Sequence, residues 1–179
     1  MASSAQNLIV AVALTFLSAG APAAADLVDP STKAVWIFVR TDCPISNRYA
    51  PVIAALHERY AARGIQFKLI YAEPGVTAAS IAKHRTEFSL PDVAVADPDF
   101  AYADRAGASV TPEAAVFAHG ILVYLGRIDD RQASLVRARP APTRSDLENV
   151  LGAVAAGKIP PFRKTRAIGR VIERLPSRG

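Results

Sequence analysis

Residues 35–60 read VWIFVRTDCPISNRYAPVIAALHERY, and this stretch decides the fold. Val35-Trp36-Ile37-Phe38-Val39 is an apolar run with the length and the β-branched and aromatic content of a buried strand. It stops at Arg40-Thr41-Asp42, and Cys43-Pro44 follows. Beyond Pro44 the period changes: Ile45, Tyr49, Val52, Ile53, Leu56 and Tyr60 recur at helical spacing and form one apolar stripe. A strand therefore runs through a short turn into an amphipathic helix. Cys43 stands at the start of that helix, and Pro44 in its first turn, where the missing N–H costs nothing. First-turn N–H groups have no intrahelical partner, and the helix dipole adds partial positive charge there. A thiolate at that place is stabilised, so the thiol is expected below its free value of about 8.5. The competing reading is a small, inert, buried hydrophobe.

Working outward, the N-terminal side carries an export signal rather than core. Leu8–Leu17 (LIVAVALTFL) has signal-peptide length and is too short to span a bilayer; Ala23-Ala24-Ala25 before Asp26 fits a cleavage site. The expected organisation is a signal peptide over 1–25, one domain over 26–162 and a basic tail over 163–179. Export to the periplasm or beyond places Cys43 in an oxidising compartment. Cys43 is the single cysteine of the 179 residues, so no internal disulfide forms within this sequence.

On the C-terminal side, Arg63-Gly64 stops the helix and Ile65–Ala72 reads as a second buried strand. Thr77 caps a helix running to Phe88. Val93–Ala96 is a short strand, and Phe100–Ala106 a short helix ended by Gly107. Ala114–Ala118, His119-Gly120 and Ile121–Leu125 form a hairpin. Arg131–Pro142 is a loop. Thr143 starts a last helix, with Asp146 as its capping-box acid and Leu147, Val150, Leu151 and Val154 on its inner face. The order β-α-β-α-β-α-β-β-α gives an α/β fold: a central mixed sheet, parallel at first with an antiparallel edge, and helices on both faces.

The net charge of +5 is uneven. Phe162–Gly179 holds six bases and one acid, Glu173, which is the whole excess; the remainder has 15 of each sign. Such a tail is expected to be solvated, with a weak contact to a membrane surface or an acidic partner as the functional option. No basic groove with interleaved aromatics and no zinc spacing is present, so no nucleic-acid partner is expected.

Four separated features resemble the thioredoxin superfold. Cys43-Pro44-Ile45-Ser46 is similar to a C-x-x-C redox motif with Ser in second place. Pro51 follows five residues later. Thr111-Pro112 precedes the hairpin, where the superfold carries its cis-proline loop, and Gly120 and Gly126 keep its glycine rhythm. The segment Thr77–Ala108 resembles the insertion of redoxin and peroxiredoxin-type (AhpC/TSA) members, and T-D-C-P-I-S-N-R-Y-A-P with G-R-I-D-D resembles an exported bacterial redoxin-domain group. The resemblance implies a thioredoxin-like fold over about Lys33–Gly157, with Cys43 as nucleophile. Ser46 and Thr41 would be its hydroxyl neighbours, and Thr111, Pro112 and Pro44 would face the substrate. No cofactor or metal is implied. The peroxiredoxin pattern P-x-x-x-[TS]-x-x-C is not met, since Thr41 lies two before Cys43 and Arg40 holds the third place. The segment Ala167–Ile172 resembles a motif often written G-C-x-I, with Arg170 in the place of its cysteine.

Both usual places for a second thiol are thus occupied by other residues. The expected activity is thiol–disulfide exchange or peroxide reduction through one cysteine, completed by an external thiol or protein disulfide partner. The alternative is a binding module that has lost redox cycling. A Cys–His hydrolase is disfavoured: His57 lies fourteen helical positions from Cys43, about 21 Å along the axis. His84 and His119 fall on other elements, away from the cysteine and at the surface or core edge. Glu113 reads as a surface carboxylate. Asp129 and Asp130, adjacent on a strand end, point apart and make a poor metal pair.

Overall fold

The computed structural model describes residues 32–174. The expected export signal, over residues 1–25, lies outside the described residues. The elements are β1 (Lys33–Val39), α1 (Pro44–Ala61), β2 (Ile65–Tyr71), α2 (Ala78–Phe88), β3 (Ala94–Ala96), α3 (Ala101–Ala106), β4 (Val110–Thr111), β5 (Glu113–Ala118), β6 (Ile121–Gly126), α4 (Asp146–Ala155), β7 (Arg163–Lys164) and β8 (Arg170–Val171).

β1 sits in the middle of a six-stranded sheet of order β3-β2-β1-β5-β6-β7. It pairs parallel with β2 and antiparallel with β5. Its continuous apolar run is explained by burial on both sheet faces. Side chains alternate across the pleat. Val35, Ile37 and Val39 join a core with α1, α2 and α4, while Ala34, Trp36 and Phe38 join a second core with α3. In that second core the Trp36 ring lies against Phe117 at 4.5 Å and Tyr102 at 4.9 Å between centroids. Burying large aromatics there fixes which face each alternate residue takes, since a one-residue slip would exchange the two cores.

The α1 stripe is buried as its spacing demands: Ile45, Tyr49, Ile53, Leu56 and Tyr60 face the first core. α2 starts with a reciprocal capping box, Thr77 with Ser80. The β5–β6 turn, His119-Gly120, has φ of 51° and 75°; two consecutive left-handed residues match the twist of the hairpin.

Two expectations are corrected. The last helix begins at Asp146, not Thr143. The Thr143 N–H and hydroxyl donate instead to the Asp130 carboxylate, at 2.7 and 2.5 Å, so this residue ties the preceding loop to the sheet end. Asp146 is buried, and its carboxylate accepts from Arg127 at 2.7 Å and Arg163 at 2.9 Å rather than capping.

The second correction concerns the basic tail. Its described part, through Arg174, is built into the fold. β7 adds to the sheet parallel to β6, and β8 pairs antiparallel with β4. Gly126 permits the first docking: a Cβ there would lie 2.1 Å from the Thr165 hydroxyl and 2.5 Å from its carbonyl oxygen. Arg163, Arg170 and Arg174 pair with Asp146, Asp42 and Asp104. Three of the six charges that suggested a lipid or acidic partner are therefore matched within the chain.

Candidate functional site

Cys43 is the N-cap of α1, with extended backbone (φ −96°, ψ 107°) and Pro44 opening the first turn. Its sulfur accepts from the Ser46 N–H at 3.5 Å, as a capping oxygen would. From the other side comes the β4–β5 corner, where the Thr111–Pro112 peptide is cis. The Cys43 thiol donates to the Thr111 carbonyl at 3.3 Å. Residues 43 and 111 thus meet across 68 positions of chain.

Two hydroxyls border this sulfur. Ser46 Oγ and Thr111 Oγ1 are buried, and neither has a hydrogen-bond partner among the described residues. A buried hydroxyl without a partner is costly, and both can turn their protons toward a thiolate. Burial pushes the Cys43 thiol up. The Ser46 hydroxyl and N–H, the Thr111 hydroxyl and the Ile45 N–H act against it, and the thiol ends below its ordinary value.

Thr41 faces elsewhere. Its hydroxyl donates to Glu73 at 2.9 Å and its N–H to the same carboxylate at 3.3 Å. Arg40 reaches Asp42 at 3.0 Å and Glu73 at 3.7 Å. This network pins the β1–α1 turn to the end of β2, so Thr41 positions the turn. Arg40 side-chain hydrogen bonding holds the Asp42 carboxyl below the usual carboxylate range.

Glu113 is buried, not a surface carboxylate. It accepts from the Ser109 N–H at 2.8 Å and the Val110 N–H at 3.4 Å, bracing the loop that carries Thr111. Burial raises its pKa, against the two backbone donors.

His84 is also buried; its Nδ1 meets the Tyr71 hydroxyl at 2.9 Å and its Nε2 meets Asn47 Oδ1 at 3.0 Å. Desolvation lowers its pKa. It braces α2 against α1 and forms no hydrogen bond with Cys43. Tyr49, read from sequence only as part of the apolar stripe, donates to Asp129 at 2.6 Å and ties α1 to the 129–132 loop. Among the described residues no group of three or more His, Cys, Asp and Glu could hold a metal ion, and no helix is long and apolar enough to cross a membrane.

Cys43 borders a 420 Å³ cavity walled by Pro44, Ile45, Arg48 and Leu135, and by Gly169, Arg170, Val171 and Glu173. The thiol residue itself is only 1 % exposed. Both places where the family resemblance would put a second thiol lie at this site. Ser46 touches the sulfur through its N–H, and Arg170 lines the cavity and pairs with Asp42 at 3.0 Å. The β8 residues carried no strand signal, because two residues have no period to read. A larger hollow of 580 Å³ lies beside the 132–139 loop; two of its arginines are paired with Asp146 and Asp130.

No protein-family model matches the chain, and no curated protein matches it. Solved structures do. An uncharacterized conserved protein of Geobacillus kaustophilus aligns with TM-score 0.66 at 22 % identity, covering 82 % of this chain and 79 % of its own. A hypothetical protein of Sinorhizobium meliloti aligns with TM-score 0.65 at 21 % identity, over 83 % and 82 % of the two chains. A thioredoxin-like protein solved in its oxidized form aligns with TM-score 0.54 at 16 % identity, over 78 % and 87 %. With a central mixed sheet, helices on both faces and a Cys-Pro helix start opposite a Thr-Pro corner, this chain belongs to the thioredoxin-like fold.

Proposed function

We propose that this protein is an exported thiol oxidoreductase that uses Cys43 as its single nucleophile in thiol–disulfide exchange. The observation that carries this reading is the setting of the sulfur. It caps α1, accepts the Ser46 N–H and donates to the Thr111 carbonyl, and the hydroxyls of those same two residues are buried without a hydrogen-bond partner. These groups favour the thiolate, the reactive form. The thiolate attacks one sulfur of a disulfide; a bond forms between that sulfur and Cys43, and the other sulfur leaves as a thiolate. A second, external thiol then attacks the mixed disulfide, returns Cys43 as thiolate and carries away the bound half as a new disulfide. Two electrons pass from external thiol to disulfide. The external thiol is required because Ser46 and Arg170 stand where a resolving cysteine would be.

A second reading has its own observation: Cys43 is 1 % exposed, as in a binding module whose thiol is structural. One measurement separates the two. The alkylation rate of Cys43 is followed against pH in the folded protein. A midpoint below the free-thiol value of about 8.5 is expected for the redox protein. A midpoint at or above that value overturns the redox reading and leaves the binding module. Peroxide reduction by the same thiolate would show as a sulfenic acid on Cys43 after stoichiometric hydrogen peroxide.

A further inference from the structure

The C-terminal segment Ala167–Arg174 lies along the cavity that borders Cys43. β8 runs antiparallel to β4, with Thr111 opposite Arg170 and Val110 opposite Val171. The Ile172 N–H extends the ladder to the Ser109 carbonyl at 2.9 Å. Gly169 stacks directly on the Thr111 carbonyl. A Cβ there would stand 2.0 Å from the oxygen, so only glycine allows the backbones to come this close. Four residues of this segment complete the wall of the cavity beside the thiol.

The fastenings of the segment are few. One side chain, Ile172, is buried, and it enters the second core. Two ion pairs hold it, Arg170 with Asp42 and Arg174 with Asp104, all four side chains being between 43 % and 59 % exposed, and Arg174 also donates to the Ala108 carbonyl at 3.3 Å. Pairs so exposed contribute little. The β4–β8 ladder has only two residues on each strand. Segments with few buried contacts and short ladders open at low free-energy cost. Val171, beside the thiol, presents an apolar side chain that is 58 % exposed.

We infer that Ala167–Arg174 is a removable strap: an internal strand occupying the β4 edge, which an extended, disulfide-bearing polypeptide replaces in order to reach Cys43. This rests on the thiol–disulfide reading and names its partner class and its control. An extended chain added to β4 satisfies the backbone groups that β8 satisfies now, which is how exposed strand edges recruit peptides. A small disulfide gains no such ladder and reaches the sulfur only while the strap is open.

The test uses the full chain with Ile172→Ala and, separately, Arg174→Ala. Labelling by iodoacetamide is measured at alkaline pH, where all Cys43 is thiolate, so that the rate reports access alone. Ile172→Ala is expected to speed labelling roughly tenfold or more, and Arg174→Ala about two- to fivefold, with the pH midpoint unchanged in both. Arg174→Ala removes a surface pair and one hydrogen bond to the Ala108 carbonyl and leaves the core untouched, so it remains readable if Ile172→Ala does not fold. Wild-type rates in Arg174→Ala together with either wild-type rates or misfolding in Ile172→Ala overturn the strap. So does a wild-type protein that labels as fast as its unfolded chain.

A second arm uses a short extended peptide whose one cysteine is activated as a thiopyridyl disulfide. The Cys43 thiolate displaces pyridine-2-thione and forms the Cys43–peptide disulfide. The Ile172 amide is then expected to lose its protection from hydrogen exchange. Protection equal to that of the free protein overturns the replacement. A midpoint at or above the free-thiol value in a fast-labelling variant sinks the redox reading while leaving the strap in place.

Discussion

Ser46 and Thr111, whose backbones contact the Cys43 sulfur, each bury a hydroxyl that has no hydrogen-bond partner among the described residues. Inside a protein such an arrangement is unfavourable unless the hydroxyl serves a group that changes charge. A hydrogen bond to a charged acceptor contributes about 1.5–3 kcal/mol, more than a neutral one. Ser46→Ala is therefore expected to shift the alkylation midpoint of Cys43 upward and to slow labelling at neutral pH by roughly three- to tenfold. Stopped-flow alkylation across the pH range checks this; an unchanged midpoint would mean that the Ser46 hydroxyl does not act on the thiol. Thr41, by contrast, is a hydroxyl neighbour of the cysteine by resemblance and two positions away in sequence, and the structure gives its hydroxyl to Glu73. Distance along the chain said nothing about which side of the turn that hydroxyl would take.

At the scale of elements, the strand–turn–helix unit was legible because both its periods are strong. β1 is apolar throughout, and α1 keeps one stripe over 18 residues. The start of α2 was legible too, from Thr77. Its Oγ1 accepts from the Ser80 N–H at 3.1 Å, and the Ser80 hydroxyl accepts from the Thr77 N–H at 3.1 Å. Thr77→Ala is expected to cost about 1 kcal/mol of stability, read from the shift of a urea unfolding midpoint. The start of α4 was placed at Thr143 because the sequence offers a hydroxyl three residues before an acid. The competing partner, Asp130, lies 13 residues back and meets Thr143 only once the sheet has formed.

At the scale of the molecule, Glu113 couples stability to pH. It is 2 % exposed, and burial raises its folded pKa above the unfolded carboxyl value. The sign follows from linkage. The contribution of the protonated carboxyl to stability is full below the unfolded value of about 4.3 and is lost as pH rises through the raised folded value. Relative to wild type, Glu113→Gln is expected to lose less stability between mildly acidic and neutral pH, as measured by unfolding at a series of pH values. A parallel loss in both proteins would assign the pH dependence to other groups.

The same scale divides what the chain declared from what only folding decided. Periodicity, the Cys-Pro helix start and the Thr-Pro corner determined the layered α/β architecture and the place of Cys43 at the head of its helix. Local sterics and the burial of apolar faces act through neighbours in sequence, so they can be read there. The strap of Ala167–Arg174, the pairing of the basic residues with Asp42, Asp104 and Asp146, and the burial of Glu113 and His84 were decided by tertiary structure alone. The acids that meet the basic residues lie far away in the chain, from 17 residues in Asp146–Arg163 to 128 in Asp42–Arg170, and a charge shows no sign of its partner until the backbone brings the two together.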